Sequence, residues 1–375
     1  MDGEPIPEIV FTKSMIAGRT ISLYGPSGSG KTVVTKSLLD LLRGKVDQCI
    51  IVSPTEPSNH SFENYAPQQL IHTAMTAPDP KHPKDPKKRL TGVKGAEAFL
   101  LNIWRRQEML KGIYENSQNL SVLQRLFRRT TEKTQVLARP DLEKLERSRR
   151  EIMERLKKKY RGKPDQMRKE VKKVKDDLTR LACEVYRRYI NQDYQRLHRG
   201  REKLTEEERW ALQYLNMRPG LVLVFDDCAS DLSPLKNKPI FKKLFYQNRH
   251  IDLTVIFAFQ DDTDLAAAFR KNSFVSIFCT DIICSAFFAQ QANHFPKQVK
   301  QRVEELTESI YARKYQMLAY MRDDPTGRNF YRFMAAPSQE KMFPSQAVLD
   351  YCRSLQNSSA NFGEDNPFSS RFALT

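Results

Sequence analysis

The sequence lacks long hydrophobic runs. No stretch of about 18 apolar residues occurs in its 375 residues, so no membrane-spanning helix is expected. The acidic start, residues 1–4, does not have the charged-then-apolar pattern of a secretory signal. The six cysteines are scattered and form no Cys-x-x-Cys pair, which argues against a zinc site. These features predict a soluble protein in a reducing compartment, with cysteines that mostly pack in a core.

The basic excess of the chain is confined to one segment. The formal net charge is +17, and residues 81–210 hold 37 Lys and Arg against 20 Asp and Glu. The rest of the chain contains 25 residues of each sign. A neutral body with one basic segment indicates a dedicated contact with a polyanion, and nucleic acid is the partner that we expect. The alternative is a solvated helical face that is rich in lysine.

A glycine-rich stretch near the N-terminus has the pattern of a phosphate loop. It follows an apolar segment, Arg19 to Tyr24, and precedes an amphipathic run that ends near Leu42. Its glycines allow backbone N–H groups to converge on phosphate oxygens, Lys31 supplies a charge to the β- and γ-phosphates, and Thr32 supplies a hydroxyl to Mg²⁺. The alternative is a chance glycine-rich turn. The loop consists of Gly25, Pro26, Ser27, Gly28, Ser29, Gly30, Lys31 and Thr32.

Composition divides the chain into four parts. Residues 1–80 are predicted to form the first part of an α/β core, and residues 216–345 its second part. Residues 81–215 form a basic helical insertion, in which apolar residues at three- and four-residue spacing predict a helical hairpin at about 140–199. Residues 346–375 are expected to form a C-terminal helix and a flexible tail that is rich in Asn and Ser.

An acid pair follows a second buried strand. The apolar run Leu221 to Phe225 is typical of a parallel strand, and Asp226 and Asp227 come directly after it. In a P-loop ATPase, the first acid at this point is associated with Mg²⁺ and the second can deprotonate the attacking water. Two adjacent acids favour hydrolysis over a kinase reaction, in which the substrate brings its own nucleophile. The alternative is a strand that ends in an acidic turn or helix cap.

Three polar residues complete the candidate site. Gln260 follows the apolar run Leu253 to Phe259, and its amide can hydrogen-bond both a phosphate oxygen and a water molecule. Arg249 and Arg270 are candidates for neutralising charge in the transition state, including in the site of a neighbouring subunit. For each arginine, the alternative is a surface salt bridge. Further strands are predicted at Phe274 to Cys279, Tyr315 to Met321 and, as an edge strand, Phe330 to Met334.

The order of these motifs resembles that of a known family. The phosphate loop, Leu223 to Asp227, Asn248 to Gln260 and Phe269 to Asn272 are similar to the corresponding motifs of the virion DNA-packaging ATPases of poxviruses and other large DNA viruses. These belong to the FtsK–HerA branch of P-loop motors. The resemblance covers about residues 17–75 and 216–335, and the ordered set is more specific than the phosphate loop alone.

The resemblance implies a fold, a function and roles for the site residues. It implies a RecA-like (ASCE) P-loop ATPase of the α/β class, with a mostly parallel central sheet and the large basic helical insertion. Lys31 and Thr32 would hold Mg²⁺ and ATP, Asp226 the metal, and Asp227 would act on water. Gln260 would sense the γ-phosphate, and Arg270 would be the arginine finger.

The family also implies a biological setting. Its members form a homo-oligomeric ring around double-stranded DNA and pump the DNA into a preformed capsid, with a capsid portal or other packaging proteins as partners. The resemblance places the chain in the nucleus or cytoplasm of an infected host cell and is compatible with its presence in the virion.

Two departures from the family and several alternatives stand beside this interpretation. The second acid is Asp, as in poxvirus relatives, where cellular relatives usually have Glu. The basic insertion is absent from compact members, so no role can be carried over to it. The alternatives are a translocase or helicase of the same branch that acts outside packaging, a nucleotide-gated DNA-binding scaffold, and a small-molecule kinase.

Overall fold

The computed structural model describes residues 6–359 except 83, 84, 86, 87, 116, 262 and 325. The chain forms two compact units, one of residues 1–107 and 219–375 and the other of residues 108–218. The acidic start of the sequence and the predicted flexible tail beyond residue 359 lie outside the described residues. Among the described residues, no helix is both long and apolar enough to cross a membrane.

The first unit is built on a mostly parallel sheet of eight strands. The described residues contain ten strands, of which eight form this sheet. In chain order, the strands are β1 Thr20–Tyr24, β2 Gln48–Val52, β3 Ile71–His72, β4 Ala77–Pro78, β5 Arg89–Leu90, β6 Leu221–Asp226, β7 Leu253–Phe259, β8 Val275–Phe278, β9 Gln316–Tyr320 and β10 Phe330–Met334. The sheet has the order β10-β9-β8-β1-β7-β6-β2-β3, and β4 pairs with β5 separately. The two antiparallel pairs of this sheet are β8 with β9 and β9 with β10, so β9 alone among the eight strands runs in the reverse direction.

The buried strands follow from the apolar runs in the sequence. Every residue of β1, β2, β6, β7 and β8 is buried, because helices cover both faces of a parallel sheet. The predicted strands are confirmed with small shifts of their ends, and β10 is an edge strand as expected. The predicted α/β fold with a mostly parallel central sheet and a large helical insertion is thus confirmed.

Fifteen helices are found among the described residues. In chain order, they are α1 Lys13–Ile16, α2 Lys31–Leu42, α3 Glu56–Asn59, α4 Gly92–Glu115, α5 Ser117–Arg128, α6 Glu132–Lys159, α7 Pro164–Gln192, α8 Tyr194–Arg199, α9 Glu206–Gln213, α10 Ala229–Leu232, α11 Pro239–Tyr246, α12 Ala267–Arg270, α13 Asp281–Ala289, α14 Lys297–Tyr311 and α15 Gln346–Ser359. In the first unit, the core is rich in aromatic rings. Tyr24 of β1, for example, stacks on Phe259 of β7 and on Phe278 of β8.

The second unit, residues 108–218, begins later in the chain than the insertion 81–215 that composition predicts. Phe99, Leu100, Ile103 and Trp104 of α4 are buried in the core of the first unit, together with side chains of α11. This apolar face of α4 holds the residues up to 107 in the first unit. The charge count alone does not detect the face, because it is summed over the whole of residues 81–210 and does not register a short apolar run such as residues 99–104.

The second unit contains a long helical hairpin. Helices α6 and α7 are joined by a short turn, in which Gly162 adopts a left-handed φ of 81°. Helix α6 begins at Glu132 rather than near 140, because the Thr131 hydroxyl accepts a hydrogen bond from the backbone N–H of Thr134 and caps the helix. Pro140 lies inside the helix. A small apolar core joins α5 to the C-terminal half of α7 and to α9.

Candidate nucleotide-binding and hydrolysis site

The strand order brings the phosphate loop and the acid pair to one edge of the sheet. Strand β7 lies between β1 and β6, with Tyr24 opposite Phe259 and Asp226 opposite Ala258. Beyond the strand ends, the N–H of Gly25 donates to the Phe259 carbonyl at 3.2 Å, and the N–H of Asp227 donates to the Ala258 carbonyl at 3.3 Å. The carboxyl ends of parallel strands are where open α/β sheets bind ligands.

Glycine is required in the phosphate loop by local geometry. A Cβ atom on Gly25 would lie 2.4 Å from Ser29 Oγ and 2.8 Å from Cys279 Cβ, so no larger residue fits there. Gly28 and Gly30 have left-handed φ values of 75° and 101°. Directly after Gly30, the 12-residue helix α2 begins, and its N-terminus adds a favourable potential for an anion.

The ammonium group of Lys31 is held inside this loop. Its side chain is 5% exposed, and Nζ donates to the carbonyls of Gly25 at 2.7 Å and Pro26 at 3.0 Å. Nζ also lies 4.0 Å from Asp227 Oδ1. A positive charge is thus fixed where the loop backbone can surround a phosphate group.

Asp226 is the buried member of the acid pair. Its residue exposure is 3%, and its Oδ2 accepts a hydrogen bond from Ser53 Oγ at 3.4 Å. Burial and the neighbouring negative charge of Asp227 raise the pKa of Asp226 to about 6, although Lys31 and Ser53 act in the opposite direction. A buried carboxylate with little positive charge to balance it is a favourable ligand for a cation.

Asp227 has an unusual backbone conformation and a carboxylate oxygen without a hydrogen-bond donor. Its φ is +54°, in the left-handed region that non-glycine residues rarely adopt. Among the described residues, no group donates a hydrogen bond to its buried Oδ1 atom. Strained residues with unsatisfied polar atoms are concentrated at functional sites. The free oxygen can accept a proton from a water molecule.

The residues present fit a nucleotide with Mg²⁺. The loop around Gly25 leaves no space for a Cβ atom, as a close backbone approach to phosphate requires. The Thr32 hydroxyl and the Asp226 carboxylate would hold the ion, since Mg²⁺ prefers hard oxygen ligands. When bound, Mg²⁺ would neutralise charge on the phosphates. The loop, the sheet and the acid pair together are those of a P-loop NTPase.

Gln260 lies at the same edge of the sheet, at the end of β7. It is exposed, and its backbone N–H donates to the Asp264 carboxylate at 3.1 Å. Because β7 lies between β1 and β6, this position is between the phosphate loop and the acid pair. The structure therefore brings Gln260 together with the residues that sequence analysis selects for phosphate and metal.

The two candidate arginines lie toward the opposite edge. Arg249 belongs to the short 3-10 segment before β7, and its Cα is close to Gly18, which precedes β1. Its side chain is exposed. Arg270 precedes β8 and is 7% exposed, with its guanidinium donating to the Gln290 side chain and lying 5.7 Å from the centre of the Phe287 ring. Neither arginine is brought to the phosphate loop of its own chain.

Ser53 is a site residue that sequence analysis does not select. It follows β2, the neighbour of β6, and its hydroxyl orients the Asp226 carboxylate. The available signal is its place directly after a predicted strand, but serine at a strand end is too common to be informative. Glu56 is buried nearby, yet its carboxylate accepts hydrogen bonds from the backbone N–H groups of Ser61 and Phe62, which indicates a structural role.

Comparisons with known proteins identify viral relatives of this chain. The uncharacterized protein B354L of African swine fever virus, from a South African tick isolate, is 35% identical over 374 residues, which cover 100% of this chain and 98% of the relative. The same protein of the Vero-adapted Badajoz strain is 35% identical and covers 99% of this chain and 98% of the relative. No protein-family model matches the chain.

Two solved structures show weaker likeness. The genome packaging NTPase B204 of Sulfolobus turreted icosahedral virus 2, in complex with ATP-gammaS, is 10% identical, with a TM-score of 0.34 over 85% of this chain and 98% of that chain. The plasmid coupling protein TrwB, with a GTP analogue, is 12% identical, with a TM-score of 0.34 over 92% of both chains. Likeness at this level supports no inference about activity.

Proposed function

The chain belongs to the family of the African swine fever virus B354L proteins, and we propose that it hydrolyses ATP to move double-stranded viral DNA into a preformed capsid. One observation carries the hydrolytic part of this proposal. A phosphate loop with a buried lysine faces an acid pair, and the second acid of that pair has an oxygen to which no described residue donates.

Each residue at the edge of the sheet has a role in the proposed hydrolysis. Lys31 binds the β- and γ-phosphates, and Asp226, oriented by Ser53, holds the metal with Thr32. Asp227 accepts a proton from water as the water oxygen bonds to the γ-phosphorus and the bond to the bridging oxygen breaks, giving ADP and phosphate. Gln260 senses the γ-phosphate and aligns the water. The second acid disfavours a small-molecule kinase, which needs no base for water.

A ring of subunits explains how an arginine at the far edge can take part in hydrolysis. The Arg249 side chain is exposed and makes no hydrogen bond or ion pair with the described residues, so it is available to the site of a neighbouring copy. Arg270, the finger that family resemblance implies, is buried against Gln290 and Phe287. We therefore propose Arg249 as the residue that acts in the neighbouring site, and a structural role for Arg270.

The DNA and packaging parts of the proposal rest on the ordered motifs and on charge. The motif order resembles that of virion packaging ATPases, and the relatives at 35% identity are viral proteins. The chain also carries its whole basic excess in a segment outside the sheet. We propose that it acts in the infected host cell, with a capsid portal and other packaging proteins as partners.

A translocation assay separates a DNA motor of the proposed kind from a helicase and from a DNA-binding scaffold. The purified protein and ATP are added to a long duplex that carries a short third strand, and release of the third strand reports movement along the duplex. A packaging motor is expected to release the third strand without separating the duplex. Strand separation would favour a helicase, and nucleotide binding without turnover or release would favour a DNA-binding scaffold.

A further inference from the structure

The positive charge of the long hairpin is concentrated at its free end. We define the distal hairpin as residues 155–175, which comprise the end of α6, the turn and the first part of α7. It contains 11 Lys and Arg against 2 Asp and Glu. The rest of α6, residues 132–154, contains 6 of each sign, and the rest of α7, residues 176–192, contains 3 of each sign. The proximal part of the hairpin is therefore neutral.

The charges of the distal hairpin are exposed and largely unpaired. Among the described residues, its only ion pairs are Arg155 with Glu151 and Arg168 with Asp165, both at 4.0 Å between solvent-exposed groups. Its lysines make no salt bridge with any described carboxylate. All eight of these lysines are exposed: Lys157, Lys158, Lys159, Lys163, Lys169, Lys172, Lys173 and Lys175. Unpaired lysines repel one another, and this repulsion lowers the stability of the folded chain. Binding of an external polyanion would remove the repulsion.

We propose that the distal hairpin is the element that contacts the phosphates of double-stranded DNA, which it holds without regard to sequence. The inference rests on the proposed function, since a motor that moves along any sequence needs contacts with phosphates rather than with bases. Lysines suit this task because they act as point charges on flexible stems, without the bidentate geometry that arginine uses to read guanine.

The apolar content of the distal hairpin disfavours other polyanions. Leu156, Met167, Val171 and Val174 are half-buried in the seam between the helices, so no row of exposed apolar side chains is present that would enter a lipid surface. Tyr160 is the only aromatic residue of the distal hairpin, and the Lys159 ammonium lies 5.2 Å from its ring centre. Single strands are usually bound on several aromatic rings, so a duplex fits better.

The size of the charged surface matches a short length of duplex. The twelve residues from Pro164 to Lys175 span about 18 Å of helix at about 1.5 Å per residue. A duplex carries one phosphate charge per about 1.7 Å of axis, or roughly ten phosphates over the same length. The distal hairpin can therefore neutralise several phosphates at once.

Two charge variants of the full-length protein test this assignment. In the distal variant, five lysines are replaced by glutamine: Lys157→Gln, Lys158→Gln, Lys169→Gln, Lys172→Gln and Lys173→Gln. In the proximal variant, which removes the same charge from α6, the changes are Lys133→Gln, Arg139→Gln, Lys144→Gln, Arg147→Gln and Arg150→Gln. All ten side chains are exposed, and glutamine is a good helix former, so both variants should keep their helix content and melting temperature.

The readout is the dissociation constant for a fluorescent duplex of about 40 base pairs over a range of salt concentrations. We expect the distal variant to bind at least about tenfold more weakly at about 0.1 M salt. Its log–log salt slope should fall by about 4, because each phosphate that the protein no longer neutralises lowers the slope by about 0.9. The proximal variant should bind much more like the wild type. Equal losses in the two variants, or a wild type that prefers a single strand of the same length, would overturn the assignment.

The same variants separate failure of this inference from failure of the proposed function. ATP turnover without DNA should be unchanged in both, because both variants keep every residue of the proposed hydrolysis site. If DNA stimulates turnover of the wild type and of the distal variant at equal DNA concentrations, the motor stands and the assignment to the distal hairpin fails. If the distal hairpin binds duplex but the wild type never hydrolyses ATP, the inference stands and the proposed function fails. A wild type that binds no duplex at all overturns both, and an acidic protein partner becomes the better explanation.

Discussion

The Lys31 ammonium and the Asp227 carboxylate face each other at the phosphate loop, with Nζ and Oδ1 4.0 Å apart. This distance gives attraction between the two charges, but it is too long for a hydrogen bond. Lys31 donates instead to the loop carbonyls, and Asp227 Oδ1 accepts from no described residue. The pair thus brings a cation held by the loop close to a carboxylate oxygen that has no described hydrogen-bond donor.

Removal of the buried ammonium should strongly weaken nucleotide binding. We expect Lys31→Ala to weaken binding of a fluorescent ATP analogue by about a hundredfold or more, because the loop loses its only buried positive side chain. Lys45→Ala, which removes an exposed lysine near the end of α2, should bind as the wild type does. Unchanged affinity of the Lys31 variant would contradict the assignment of the loop.

Gln260 should affect turnover far more than binding. We expect Gln260→Ala to lower kcat by about a hundredfold while the ATP dissociation constant changes by less than about threefold, because the side chain aligns water rather than holding the nucleotide. Gln247→Ala removes an exposed amide near the amino end of β7 and is the matched control. A parallel loss of binding and turnover would show that Gln260 mainly holds the nucleotide.

The two arginines should give opposite results. Arg249→Ala should lower kcat by about a thousandfold and leave the free energy of unfolding within about 0.5 kcal/mol of the wild type. Arg270→Ala should destabilise the fold by about 2 kcal/mol or more, because it removes the guanidinium that donates to the Gln290 side chain. Kinetics and thermal unfolding of both variants provide the measurement.

Mixing two inactive variants tests whether Arg249 acts in the neighbouring site. An Asp227→Asn subunit keeps Arg249, and an Arg249→Ala subunit keeps Asp227. If the arginine acts between subunits, a mixed ring contains some complete sites and recovers part of the activity. Absence of recovery in mixtures shown to form joint oligomers would argue that Arg249 does not act in the neighbouring site.

His72 should make the stability of the first unit depend on pH. Burial, and then the charge of Arg89, lower its pKa from 6.5 to about 4. The folded state therefore resists protonation that the unfolded state accepts. The resulting stability is full above about pH 6.5 and is lost as the pH falls toward about 4, by about 3 kcal/mol. As the pH falls from about 7 to about 4, the free energy of unfolding of His72→Gln should therefore rise by about 3 kcal/mol relative to that of the wild type.

Urea unfolding at several pH values measures this difference. Asp226, whose pKa is raised, contributes a dependence of stability on pH that has the opposite sign. This contribution cancels in the comparison with the wild type, because Asp226 is present in every variant. His250→Gln changes an exposed histidine and is the matched control. A His72 variant whose stability follows that of the wild type at every pH would contradict the burial argument.

Much of the fold is predictable from sequence because its strands are buried on both faces. The apolar runs that end at Tyr24, Phe225 and Phe259 stand out, and the residues after them carry the chemistry. The order of the strands is less accessible, because pairing is decided by packing between segments far apart in the chain. Ser53 acquires its role only through the pairing of β2 with β6.

Other features are hidden because short-range patterns do not determine them. The apolar face of α4, with Phe99 and Trp104, lies in the segment that the charge count assigns to the insertion, and its place in the core of the first unit becomes evident only from the packing. The left-handed φ of Asp227 has no sequence signal, since aspartate is common in turns of every kind. The exposure of Arg249 and the burial of Arg270 likewise follow from tertiary packing.

Steady-state ATP hydrolysis tests the central claim most directly. Turnover of the purified wild type and of Asp227→Asn is measured with and without long double-stranded DNA. We predict turnover that DNA stimulates in the wild type, and a loss of about three orders of magnitude or more in the variant despite normal ATP binding. A variant that hydrolyses ATP as fast as the wild type, with or without DNA, would contradict the claim that Asp227 is the catalytic base of a DNA-dependent ATPase.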